Sequence, residues 1–150
     1  MRIDQFLSQS PIFQTNRIAR RMDAALNQIL APEGLTGFEA LVLSAIFFER
    51  RGAIKPSDLS ATFQTTRGNV SHCLSSLEAK GLVRRRIDPD DARAFQLMVT
   101  PPGKAKAVRV VGILDRVQRE LEATMGTEAL AAMLERMNRT SALCDTLARR

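Results

Sequence analysis

His72 is the only histidine of the chain and stands next to Cys73. Imidazole beside thiol suggests proton transfer, metal ligation or redox chemistry. None of these finds the rest of its machinery. No carboxylate–His–nucleophile set is readable, one histidine cannot build a zinc site, and Cys73 and Cys144 match no metal spacing. A phosphate-cradling glycine loop is missing too. An enzyme is therefore disfavoured, and no metal or cofactor is expected. The sequence offers a different chemistry. Thr66, Arg67, Gly68, Asn69, Ser71, His72, Ser75 and Ser76 are followed by Arg84, Arg85 and Arg86, then by Asp88, Asp90, Asp91 and Arg93. Hydroxyl, amide, imidazole and guanidinium groups at this density are the groups that meet phosphates and base edges.

Those side chains need elements to aim them. Thr66 reads as the N-cap of a helix running to Lys80, with Gly81 as its stop. Val70, Leu74 and Leu77 fall on one side of that helix, with Cys73 at the edge. Gly68, His72, Ser75, Ser76 and Ala79 fall opposite, with Asn69 beside them. An outward face this small and polar fits the major groove, about 12 Å wide. A shorter helix, opened by Pro56 and running through Phe63, precedes it across a Gln64-Thr65 turn; together they form a helix-turn-helix pattern.

After Gly81, residues 82–87 and 95–100 read as two strands, with DPDDARA as the turn between them. Alternation sends Arg84 and Arg86 one way and Arg85 the other. Arg93, just past the tip, suits a minor groove, and Asp91 can hold its guanidinium by a charge-assisted bond. The bland alternative for this stretch is a solvated hairpin with scattered charges.

Helices supply the remainder. Residues 11–30 carry Ile12, Ile18, Met22, Ala25, Leu26 and Ile29 as an amphipathic stripe, broken by APEG. Thr36 and Glu39 form a capping box for a helix expected to stop near Arg51-Gly52, and Ile54-Lys55 is extended before Pro56. Thr100 and Pro101 open a helix to about residue 125. Gly126-Thr127 starts the last one, on which Leu130, Met133, Leu134 and Met137 follow helical spacing. The fold expected is mainly α with a small β-hairpin, α+β in class.

Charge supports a polyanionic partner only by placement. The net charge is +6, thinly spread, but within residues 66–86 Arg67, Lys80, Arg84, Arg85 and Arg86 face one acid, Glu78. All seven aromatics are Phe, which disfavours a stacking platform for single strands. No segment approaches 18 consecutive apolar residues, so no membrane span is expected. The N-terminus has no apolar run suited to a signal peptide, and with two cysteines a cytoplasmic location is the expectation.

The stretch LSATFQTTRGNVSHCLSSLEAKGLV, followed by DPDDARA and VTPPGKA, resembles the winged helix-turn-helix of the MarR family of transcriptional regulators. The resemblance is close over about 70 residues; the flanking helices match in position and length only. It implies a homodimer that binds pseudo-palindromic duplex DNA. Residues 35–100 would be the DNA-binding domain, and 1–34 with 101–150 would supply the helices of a dimerisation lobe. It places recognition contacts at Thr66, Arg67, Gly68, Asn69, Ser71 and His72, and the wing arginine at Arg93 with Asp91 as its partner. It also implies a repressor released by a small aromatic or phenolic effector, in a pocket that Phe38, Val42 and Phe48 or their neighbours would line. The chain departs from the family at His72, Ser76 and Ala92, where basic residues are frequent. Two other readings stay open: a redox-sensing regulator of the same fold using Cys73, and a non-specific basic nucleic-acid-binding protein.

Overall fold

Thr36 starts the helix that organises the centre of the protein, and the capping box forms as its sequence dictates. Thr36 Oγ1 accepts from the Glu39 amide at 3.2 Å, and the Thr36 amide donates to Glu39 Oε2 at 2.8 Å. The computed structural model describes residues 2–49, 54–87 and 95–149. Its elements are α1 (Arg2–Gln9), α2 (Pro11–Leu30), a 3-10 turn (Ala31–Glu33), α3 (Gly37–Phe48), α4 (Pro56–Thr62), α5 (Arg67–Ala79), β1 (Val83–Ile87), β2 (Phe95–Val99), α6 (Pro101–Met125) and α7 (Thr127–Ala148).

Helix α1 was not anticipated, although Ile3, Phe6 and Leu7 have helical spacing. Helix α3 ends at Phe48, with Glu49 as its C-cap. The expected stop at Arg51-Gly52 lies outside the described residues, as do Asp91 and Arg93.

The chain forms two compact units, Met1–Met22 with Leu114–Arg150, and Asp23–Ile113. Their boundaries run inside α2 and α6.

Every buried apolar residue among those described belongs to the Asp23–Ile113 unit. Leu43 of α3, Leu59 of α4, Val70, Leu74 and Leu77 of α5, Leu97 of β2 and Val110 of α6 are among its fully buried members. β1 and β2 pair antiparallel, with Val83 opposite Val99, Arg85 opposite Leu97 and Ile87 opposite Phe95. The Leu97 amide donates to the Ile54 carbonyl at 3.2 Å, so the extended residue before Pro56 lies along β2.

The root of the hairpin is tied to the start of α6. The Thr100 amide donates to the Leu82 carbonyl at 3.0 Å, and Thr100 Oγ1 donates to the Gly81 carbonyl at 2.6 Å. Thr100 Oγ1 also accepts from the Gly103 amide at 3.0 Å, which caps α6. Gly103 is buried here because nothing larger fits: a Cβ would overlap the Leu82 carbonyl oxygen. No single helix among the described residues is long and apolar enough to cross a membrane.

Two glycines of α6 make a matched test. Gly103→Ala should destabilise the protein by about 1–3 kcal/mol, since backbone must move to admit the methyl. Gly112, with nothing within 4 Å of its would-be Cβ, should gain about 0.5–1 kcal/mol as Ala. Chemical denaturation of the two variants checks both signs.

Candidate nucleic-acid interface

Helix α5 is set by what it buries. Val70, Cys73, Leu74 and Leu77 recur at the spacing of one helix face and are all buried. That face packs on α3, α4 and β1. Thr66 caps the helix, accepting from the Asn69 amide at 3.1 Å. The turn before it is held by Gln64 at φ +46, a left-handed conformation uncommon for a residue with a side chain.

The opposite face reaches solvent. Thr66, Arg67, Gly68, Asn69, Ser71, His72 and Ser75 are all exposed, on the side opposite the core and next to a helix N-terminus. Asn69 is oriented by its own turn: its Nδ2 donates to Thr65 Oγ1 at 2.9 Å. Thr65 was not among the residues singled out from the sequence.

Ser76 does not belong to this face. It is half-buried and its hydroxyl donates to Glu39 Oε1 of α3. The expectation that Ser76 contacts DNA meets a hydroxyl already engaged within the protein. Helical projection put Ser76 outward because it cannot see a buried carboxylate at the edge of the core.

The arginines of the hairpin divide as alternation requires. Arg84 and Arg86 share one face with Met98 and Gln96; Arg85 shares the other with buried Leu97. Arg85 turns back onto α5: its Nε lies 3.3 Å from Glu78 Oε2, its amide donates to Glu78 Oε1 at 3.2 Å, and its guanidinium reaches Ser75 Oγ at 3.4 Å. Lys80 is also neutralised, with Nζ 2.7 Å from each Glu39 oxygen. Arg67, Arg84 and Arg86 are exposed and form no ion pair among the described residues. The local basic excess thus resolves into three exposed cations, Arg67 on α5 and Arg84 and Arg86 on β1.

Glu39 is only 6% exposed. Burial opposes its ionisation, but hydrogen bonds from Lys80, Ser76 and the Thr36 amide, with the Lys80 charge, outweigh that and hold its pKa below the ordinary value. A similar grouping fastens the 3-10 turn to α6. Lys106 Nζ lies 3.0 Å and Arg109 Nε 3.1 Å from Glu33 Oε2, and these two hydrogen bonds lower the Glu33 pKa.

Cys73 is buried, and desolvation, with the nearby Glu39 charge, pushes its thiol up to about 12 against the pull of Lys80. A thiol that stays protonated and shielded is a poor redox sensor.

The three residues expected in an effector pocket do not converge. Val42 is fully buried in the core, whereas Phe48 is 62% exposed at the far end of α3. Phe38 stacks edge-on against Phe63 at 5.6 Å. It also lines a cavity of about 330 Å³ with Asp23, Leu26, Asn27, Leu41 and Asn69. The apolar period of α3 could not separate these fates, because this helix is apolar nearly all round.

Residues 42–95 match the MarR family. The HTH-type transcriptional regulator PrsX of Escherichia coli is 29% identical over 87 residues, covering 58% of this chain and 52% of PrsX. The chain spans about half the length of this curated relative. Among solved structures, the chain is similar to S. aureus MepR in a DNA complex, with TM-score 0.82 and 20% identity over 90% of this chain and 98% of that one. It is also similar to the M. tuberculosis transcriptional regulator MosR in complex with DNA, with TM-score 0.73 and 25% identity over 91% and 98% of the two chains. The fold is a winged helix-turn-helix, and PrsX and MosR are both named as transcriptional regulators.

Two measurements check the electrostatics described above. A disulfide-exchange reagent at neutral pH should titrate half-buried Cys144 in the native protein and reach Cys73 only in denaturant. Rapid native reaction of both thiols contradicts the burial argument. For Glu39, a lowered folded-state pKa means stability that is present above the ordinary 4.5 and is lost as pH falls through the folded value. Glu39→Gln should therefore be less stable than wild type at neutral pH, and the gap should close on acidification.

Proposed function

We propose that the chain, whose residues 42–95 match the MarR family, is a homodimeric repressor of transcription that reads pseudo-palindromic duplex DNA. One observation carries this reading. The polar N-terminal half of α5, Arg67 included, is exposed while its apolar side is locked in the core, and Arg84 and Arg86 are exposed on the strand that follows. On this reading Asn69 and His72 would meet base edges in the major groove, with Thr66, Arg67, Gly68, Ser71 and Ser75 beside them. Arg84 and Arg86 would meet phosphate, and Arg93 with Asp91 would extend the wing to the minor groove. MepR and MosR, which share the fold, are named in complex with DNA, and that supports duplex DNA as the partner.

The second copy follows from the other unit. Among its described residues none is buried, while Ile12, Ile18, Met133, Leu134, Met137 and Leu143 are exposed. An apolar surface of this extent needs a cover, and a two-fold partner supplies one. Dimerisation also spaces two reading helices about 34 Å apart, one duplex turn. Release falls to a small aromatic or phenolic ligand. The cavity beside Phe38 is the place this reading assigns it, because Asn69 forms part of the wall and a ligand there would disturb the reading face.

Selection of bound duplexes from a random pool tests the proposal. The wild type should enrich a pseudo-palindrome and sediment as a dimer, and benzoates or phenols should weaken binding. Asn69→Ala or His72→Ala should cost about 1–3 kcal/mol and relax base preference; Arg84→Ala or Arg86→Ala should each reduce the salt slope by about 1 without changing preference. Failure to enrich any sequence over bulk DNA at physiological salt would leave a non-specific basic protein instead.

A further inference from the structure

We infer that Glu39 is the positioning residue of the reading surface: from the N-terminus of α3 its carboxylate fixes the rotation and height of α5 through Ser76 and Lys80. The inference rests on the reading that α5 contacts DNA. No line of that reading assigns a role to Glu39 or Lys80.

The geometry is that of a grip on one full helical turn. Ser76 stands in the last turn of α5 and Lys80, four residues on, is its C-cap, one above the other. Ser76 Oγ donates to Oε1, and Lys80 Nζ lies 2.7 Å from both oxygens. The carboxylate cannot swing to follow them, since Oε2 also accepts from the Thr36 amide at 2.8 Å. Glu39 and Ser44 are the buried polar residues among those described, and Ser44 only bonds back to the Ala40 carbonyl of its own helix. Glu39 is thus the buried polar group that ties α3 to α5.

Directionality makes this grip different from the apolar packing around it. Val70, Leu74 and Leu77 hold α5 against the core, but burial is non-directional and tolerates small slides and rolls. Hydrogen bonds do not. Base-edge recognition needs placement within about 0.5 Å, whereas phosphate contact is tolerant. His72 lies one turn before Ser76, so a roll of α5 at the grip is passed directly to the residues that read. Loss of Glu39 should therefore cost sequence discrimination first and general DNA affinity little.

The test compares wild type, Glu39→Ala, Glu39→Gln, Lys80→Met and the Glu39→Ala/Lys80→Met double variant. Each is measured on the duplex that wild type selects from a random pool and on a scrambled duplex, across a salt series. Amide exchange over α5 is followed in the same proteins without DNA. Expected results are a drop of at least about tenfold in affinity for the selected duplex, little change on the scrambled one, and faster exchange in α5. Glu39→Gln, which keeps the shape and one acceptor, should fall between wild type and Glu39→Ala. Lys80→Met should leave the salt slope unchanged, and the double variant should be no worse than Glu39→Ala. A residue that merely stabilised the fold would lower both affinities together with the folded fraction. That outcome overturns the inference. So does a fall of about 1 in the salt slope for Lys80→Met with additive losses, which would make Lys80 a phosphate contact. If wild type selects no duplex, the DNA reading itself fails and takes the inference with it; if wild type selects one and Glu39→Ala discriminates equally well, only the inference fails.

Discussion

Burial of Val70, Leu74 and Leu77 against α3, α4 and the hairpin is the interaction that the rest of the site depends on. Each such side chain contributes about 1.5–3 kcal/mol when it leaves water, against roughly 0–1 kcal/mol for an exposed ion pair such as Arg139–Glu135. The apolar stripe therefore decides which side of α5 faces in. Everything polar that remains is turned outward by default. The cap at Thr66 and the stop at Gly81, with φ +68, then fix where that outward face begins and ends.

Polar contacts refine what apolar burial leaves loose. The Leu82 carbonyl and Thr100 hydroxyl bind the two ends of the hairpin to the first turn of α6. Glu33 draws Lys106 and Arg109 onto the turn after α2. Glu39 does the same for α3 and α5. These sites have carboxylates or hydroxyls with several donors each, so no buried side-chain polar atom among the described residues is left without a partner. The basic excess of the recognition region is also reshaped by them. Formal charge overstates what a phosphate would meet, since Lys80 and Arg85 already face Glu39 and Glu78.

Local signals made the architecture of this unit readable from the chain. Thr36 with Glu39, Pro56, Thr66 and Gly81 mark element ends through chemistry confined to a few neighbouring residues, and each end appears where its signal stands. The split of Arg84 and Arg86 from Arg85 was legible for the same reason, because strand alternation is local. What could not be read depends on distant partners. Ser76 looks exposed on a helical wheel and becomes half-buried only because Glu39, far back in the sequence, lies beside it. Phe38, Val42 and Phe48 share one helix but meet three surroundings, set by Phe63, by the core and by solvent. Helix α1 had the right spacing and was passed over because eight residues make a weak periodic signal. The Leu82–Gly103 approach leaves no trace in the chain beyond the glycine itself.

The unit built from Met1–Met22 and Leu114–Arg150 has no buried residue among those described. Order in such a unit is borrowed from whatever covers it, and borrowed order obeys mass action. Its melting temperature should climb with the logarithm of concentration, while the Asp23–Ile113 unit, with an interior of its own, stays indifferent to dilution.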